Sequence, residues 1–163
     1  VAALALLAAT GCAGPTAPGS VTGPSASNIT AVSSPAAATI LELTNVERTR
    51  AGLAPLRADT RLMDAAQLQS AQMAEQGRLD HELPSAPYPK PADRLAAAGY
   101  VWQAYAENIA TGQPSAAAVV DAWMQSSGHR ANILNPNLTE LGAAAATDAS
   151  GRPYYTQVFG RPR

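Results

Sequence analysis

Residues 122–136 read Ala122-Trp123-Met124-Gln125-Ser126-Ser127-Gly128-His129-Arg130-Ala131-Asn132-Ile133-Leu134-Asn135-Pro136. Just upstream, Ser115 can cap a helix whose apolar stripe is Val119, Val120, Trp123 and Met124. Gly128 predicts the break in that helix, since glycine is poorly tolerated inside helices and well tolerated just past their ends. A second short helix fits Arg130 to Leu134, with Ile133 and Leu134 buried and Asn135-Pro136 stopping it. His129, one of two histidines in the chain, then falls in the first turn of that helix. Exposed amide dipoles there disfavour imidazolium, so the ring should stay neutral. A neutral imidazole so placed can ligate a metal or accept a proton.

Working outward, Glu140 to Thr147 reads as a strand, although its alanines are poor strand formers. Asp148 to Gly151 is a turn, and Tyr154 to Phe159 is a strand that closes a terminal hairpin. Toward the other end, Ile40, Leu41, Leu43 and Val46 have near-helical spacing within Ala37 to Arg50, with Gly52 as a stop. Leu53 to Leu56 is a short connector. Asp59 or Thr60 can cap a helix with an apolar face of Leu62, Ala65, Ala66, Leu68, Met73 and Ala74, closed by Gly77. His81 lies in the loop leaving it, and Pro84, Pro87, Pro89 and Pro91 keep the next stretch extended. Ala92 to Ala98 can form a short helix before Gly99. Tyr100, Trp102 and Tyr105 then occupy a loop leading to Ala106-Glu107-Asn108-Ile109-Ala110, a short strand. Helices first, mixed elements next and a hairpin last argue for an α+β domain with helices covering a mostly antiparallel sheet.

The chain has 163 residues, enough for one domain with a real core. Its net charge of −1 gives no reason to expect nucleic acid as a partner. Residues 1–10, VAALALLAAT, form an apolar run too short to span a bilayer as a helix. Small residues and then Cys12 follow. The pattern resembles the end of a bacterial lipoprotein signal, in which the cysteine is lipidated and becomes the mature N-terminus. An ordinary secretory signal with an incidental cysteine is the other reading; both imply export. A lone cysteine allows no disulfide within the chain. Residues 13–36 are rich in Gly, Pro, Ser, Thr and Ala, too poor in large apolar groups to offset ordering entropy, and read as a tether. The expected organisation is signal and lipidation site over 1–12, linker over 13–36 and a folded domain over 37–163.

Three positions can carry chemistry: His81, Glu107 and His129. Two imidazoles and a carboxylate can supply the three protein ligands of an open zinc-type site. They are far apart in the chain, with no HExxH spacing to set two ligands on one helix face. Each also has a structural reading: a helix-capping histidine at 129, an exposed loop histidine at 81, a carboxylate bonded to local backbone at 107. Glu140 reads as a structural surface carboxylate. Ser126 and Ser127 lack the Gly-x-Ser-x-Gly context of a nucleophile elbow. Trp102, Tyr100 and Tyr105 can line a groove or simply pack.

The blocks Thr44-Asn45-x-x-Arg48-x-x-x-Gly52-Leu53-x-Pro55-Leu56, Ala65-Ala66, His81, Arg94-Leu95-x-x-Ala98-Gly99-Tyr100, Glu107-Asn108-Ile109-Ala110, Trp123-Met124, Ser127-Gly128-His129-Arg130-x-Asn132-Ile133-Leu134 and Thr156-Gln157-Val158-Phe159-Gly160 resemble the bacterial branch of the CAP superfamily. That superfamily groups cysteine-rich secretory, antigen-five and pathogenesis-related proteins. The resemblance covers nearly all of residues 37–160. It implies an α-β-α sandwich, an exported protein, and a cleft in which two histidines and two glutamates can hold a divalent ion such as zinc. His81 and Glu107 match two of those four. Ser126 stands where a glutamate is expected and Tyr154 where a histidine is expected, so His129 would supply the second imidazole.

Two functions follow from this reading. One is an extracellular binding module, lipid-anchored to the outer face of the membrane at Cys12, whose partner is a lipid, an envelope component or a protein. The other is a metal-dependent hydrolase, in which His81 and His129 hold the ion and Glu107 ligates it or activates a bound water. The hydrolase needs one glutamate to be both ligand and base, so the binding module is the stronger expectation.

Overall fold

A computed structural model describes residues 34–163. The apolar leader, Cys12 and most of the expected linker lie outside the described residues. Helix α1 spans Pro35–Arg50, and Ser34 caps it by accepting the Ala37 N–H at 3.2 Å. Residues 34–36, assigned to the linker by composition, are thus its cap and first residues. A two-residue strand β1, Arg57–Ala58, precedes helix α2, Thr60–Gln76. Helix α3 spans Pro91–Ala97, strand β2 Trp102–Thr111, helix α4 Ala116–Gln125 and helix α5 Ser127–Ile133. Strands β3, Glu140–Thr147, and β4, Pro153–Pro162, form the expected hairpin.

The sheet runs β1-β3-β4-β2, with β1 parallel to β3 and the other pairs antiparallel. Side chains alternate across it, as the two-residue strand period requires. Leu141 and Ala143 of β3 and Tyr155 and Phe159 of β4 point to one side, where Ile40 of α1, Val119, Val120 and Trp123 of α4 and Ile133 of α5 pack on them. Ala144 and Val158 point to the other side and meet Leu62, Ala65 and Ala66 of α2 and Leu95 of α3. Farther along that same side, Ile109 and Tyr154 pack against Met73. Helices therefore cover both faces, the α-β-α sandwich expected above. Alanine is a poor strand former, yet it suits β3 because α2 comes so close. A Cβ built on Gly142 would lie 2.0 Å from the Leu62 backbone carbon, so no larger residue fits there.

Several boundaries differ from the sequence reading. The break between α4 and α5 falls at Ser126 (φ −95°, ψ 121°), and Gly128 lies inside α5. Ser126 closes one helix and opens the next: its N–H donates to the Trp123 carbonyl at 3.2 Å and its carbonyl accepts the Arg130 N–H at 2.8 Å. A helical Gly128 costs only about 1 kcal/mol, which tertiary packing overrides. Leu134 is half-buried at the end of α5, where burial was expected. Trp102 and Tyr105 belong to β2 and not to a loop, because pairing with Pro162 and Gly160 starts the strand five residues before Glu107. The connector is followed by β1, too short to leave a periodic signal.

Candidate functional site

Gly77 ends α2 in the left-handed conformation (φ 60°), as the sequence indicated, and turns the chain toward Asp80 and His81. That loop is tied down locally. Gln69 donates to the Asp80 carbonyl at 2.6 Å, and the Asp80 carboxylate accepts the Glu82 N–H at 3.2 Å. His81 is thereby held against β2, with its Nδ1 2.8 Å from Glu107 Oε1. Glu107 faces the α2–α3 side and its side chain is buried.

Behind Glu107 stands Arg94 of α3, 1% exposed. Its Nη2 donates to Glu107 Oε2 at 3.0 Å, to Oε1 at 3.2 Å and to the His81 carbonyl at 3.0 Å. Its Nη1 donates to the Tyr88 and Pro89 carbonyls at 3.2 and 3.4 Å. The short helix α3 that carries it begins at Pro91, and Asp93 accepts the Lys90 N–H at 3.1 Å to hold its first turn. The proline-rich stretch thus ends in a docked helix whose arginine closes the site from beneath.

His129 arrives from the other side of β2's edge. Its carbonyl accepts Asn108 Nδ2 at 3.1 Å. Asn132, on the same helix, donates to Asn108 Oδ1 at 2.8 Å and to the Glu107 carbonyl at 3.4 Å. Asn108 passes the network inward to Gln157 at 3.1 Å, and Gln157 donates to Thr44 of α1 at 2.6 Å. In this way α5 is fastened beside Glu107 by side-chain amides, each meeting the donors and acceptors of its neighbours.

The two imidazoles titrate in opposite directions. The hydrogen bond to Glu107 raises the His81 pKa above its ordinary value, opposed by partial burial and by the charge of Arg94. Burial lowers that of His129, and the nearby His81 lowers it further. A neutral His129 is what its place in a helix first turn suggested, but the leading cause is desolvation, not the helix dipole. The site therefore offers a half-exposed imidazole with cationic tendency beside a neutral one.

The structure brings His81 and Glu107 into contact and sets His129 close by. The other sequence candidates lie elsewhere. Glu140 is buried, not at the surface; it accepts the Tyr100 hydroxyl and Arg57 Nη2, each at 2.7 Å. Burial and that bond push the Tyr100 pKa up, which fixes the phenol as a donor. Tyr154 is buried against Met73 and Ile109. Trp102 and Tyr105 meet edge to face at 5.5 Å on the strand that carries Glu107. Sequence reasoning gave no role to Arg94, Asn108 or Asn132. Arg94 stood in the family block Arg94-Leu95-x-x-Ala98-Gly99-Tyr100, but nothing in that block says what it touches.

A divalent ion held jointly by His81, Glu107 and His129 does not fit this arrangement. The carboxylate already accepts from a guanidinium and an imidazole. Among the described residues, no three His, Cys, Asp or Glu side chains stand close enough together to hold a metal ion. Among the same residues, no helix is long and apolar enough to cross a membrane.

The model of the cysteine-rich secretory protein family, CAP, matches residues 41–159. The chain belongs to the CAP family. This CAP domain is 41% identical over 120 residues to the uncharacterized protein YkwD of Bacillus subtilis (strain 168), a match over 74% of this chain and 45% of that protein. It is 38% identical over 120 residues to the uncharacterized membrane protein YlbC of the same organism, over 74% of this chain and 33% of that one. Among solved structures, an extracellular protein containing an SCP domain from Bacillus anthracis str. Ames superposes with a TM-score of 0.70 at 32% identity, over 77% of this chain and 40% of that one. The CAP chain thus spans less than half the length of each of these relatives.

Proposed function

We propose that this chain is an exported CAP module, lipid-anchored at Cys12 to the outer face of the membrane, that binds an extracellular ligand at the opening formed by His81, Glu107 and His129. One observation carries the reading: His81 is half exposed, yet held in one orientation by the buried Glu107–Arg94 pair. A group so fixed loses little freedom on binding, which is how preorganised sites gain affinity. With Nδ1 committed to Glu107, Nε2 is the ring atom left for a ligand. The neutral His129 beside it adds a second polar group without a second charge. Export is supported by the leader-like start of the chain and by the solved relative described as extracellular.

The test follows histidine side-chain resonances of the full chain, and of the His81→Ala/His129→Ala double variant, during titration with purified cell-wall fragments and with phospholipid vesicles. Saturable binding by the natural chain to either, lost in the double variant, is the expected result. No binding by the natural chain, or equal binding by both, overturns it. Turnover of a peptide or ester substrate that stops on adding a chelator would put the hydrolase in its place. Separately, Cys12→Ser should move the protein from the membrane fraction to the culture medium.

A further inference from the structure

We propose that Arg94 is the built-in cation of the His81–Glu107 site: a positioning residue that gathers the oxygens a divalent ion would need and leaves Glu107 unable to ligate one. The inference concerns the site of the proposed binding function but does not depend on what binds there.

The oxygens around the guanidinium form the donor set of a hard cation. They are the two carboxylate oxygens of Glu107 at 3.0 and 3.2 Å and the carbonyls of His81, Tyr88 and Pro89 at 3.0, 3.2 and 3.4 Å. Carboxylate and backbone carbonyl oxygens converging on one point are what a calcium-type ion takes as ligands. Here they converge on Nη1 and Nη2. The Nε of Arg94 is buried without a partner, so the oxygens at the far end of the side chain alone orient the group. At 1% exposure Arg94 is almost wholly shut off from solvent.

A bound metal can be stripped by a chelator or diluted away, whereas a covalently attached cation cannot. Arg94 links three separate stretches: the loop carrying His81, the proline-rich segment at Tyr88–Pro89, and β2 at Glu107. The imidazole is therefore aimed without metal, and Glu107, paired on both oxygens, is withdrawn from coordination. Any zinc bound here would rest on the two imidazoles alone.

The test uses the full chain and zinc chloride, with calorimetry for affinity and the Glu107 carboxylate carbon resonance for ligation. The natural chain and Glu107→Gln should bind zinc equally within about twofold, or not at all, and the Glu107 resonance should stay in place at saturating zinc. A loss of about tenfold or more in Glu107→Gln, or a Glu107 resonance that moves with one equivalent of zinc, overturns the inference. In Arg94→Met, zinc affinity should rise by about tenfold or more and fall back in Arg94→Met/Glu107→Gln. A folded Arg94→Met with no gain also overturns it. If Arg94→Met does not fold, the Glu107 resonance of the natural chain decides alone. Failure of the vesicle and cell-wall titrations would leave all these zinc outcomes unchanged, so the two ideas fail separately.

Discussion

Two arginines are almost wholly buried in this domain, and they do different work. Arg48 of α1, 2% exposed, donates from Nε to the Ala54 carbonyl at 2.9 Å, from Nη1 to the Ile133 and Asn135 carbonyls at 2.8 and 2.9 Å, and from Nη2 to the Leu138 carbonyl at 3.4 Å. It fastens α1 to the chain leaving α5 and satisfies carbonyls that α5 leaves open at its end. Arg94 also collects carbonyls, but it adds a carboxylate, and that carboxylate holds a half-exposed histidine. A buried charge is thus no sign of a site in itself. The difference lies in whether the cage connects to a group that solvent can reach.

Breaking each cage should separate the two roles. The largest effect is expected for Glu107→Ala, which leaves Arg94 buried and uncompensated. Breaking a buried pair this way costs about 3–5 kcal/mol, readable as a lowered urea midpoint. Arg48→Met should cost about 3 kcal/mol by the same measurement, from carbonyls left without donors. In the fraction that stays folded, the His81 ring resonances should keep their natural positions. An Arg48 variant that shifts them would erase the distinction drawn here.

Asn108→Ala comes next. It cuts the amide chain from α5 through Gln157 to Thr44, one turn of α1 before Arg48, and should cost about 1–3 kcal/mol. Its mark should be faster amide exchange in α5 with α3 unchanged, since α5 hangs on that network and α3 takes no part in it.

The smallest effect is the dependence on pH. The folded pKa of His81 is raised, so its contribution is fully present below the unfolded value of 6.5 and is lost as pH rises through the folded value. The folded pKa of His129 is lowered, so the unfolded chain takes the proton first and stability is lost as pH falls below 6.5. The His81 contribution therefore changes above pH 6.5 and the His129 contribution below it. In urea unfolding between about pH 5 and 8, His81→Ala should flatten the loss of stability as pH rises above 6.5, and His129→Ala should flatten the loss as pH falls below it. Equal slopes in both variants would mean that the rings do not sit in opposed environments.

Much of the fold was legible because its signals are local. The apolar stripes of α2 and α4, the caps at Asp59 and Ser115, and Gly77 each act within a few residues. The hairpin of β3 and β4 carries its own turn, where the Asp148 carboxylate accepts the N–H groups of Ser150 and Arg152 at 2.8 and 3.0 Å. The outer half of β2 was not legible, because its strand character comes from a partner more than fifty residues away. The break at Ser126 was misplaced for a related reason. Glycine advertises a helix end, but packing of Trp123 and Ile133 decides where the chain bends. At the site, His81, Glu107 and His129 were picked out by residue type. Arg94 was not, since an arginine in a short helix reads as surface until its partners are known.

The order of residues alone determined the helix-forming stripes, the caps, the hairpin turn and the family motifs, since each is written in neighbours a few positions apart. Only the tertiary structure decided which charge meets which. Arg94 comes to lie under Glu107, and Glu140 turns inward to Tyr100, when the folded layers close over them. The reason is physical: a buried charge has to find its partner in three dimensions, and the partner's distance along the chain carries no energy of its own.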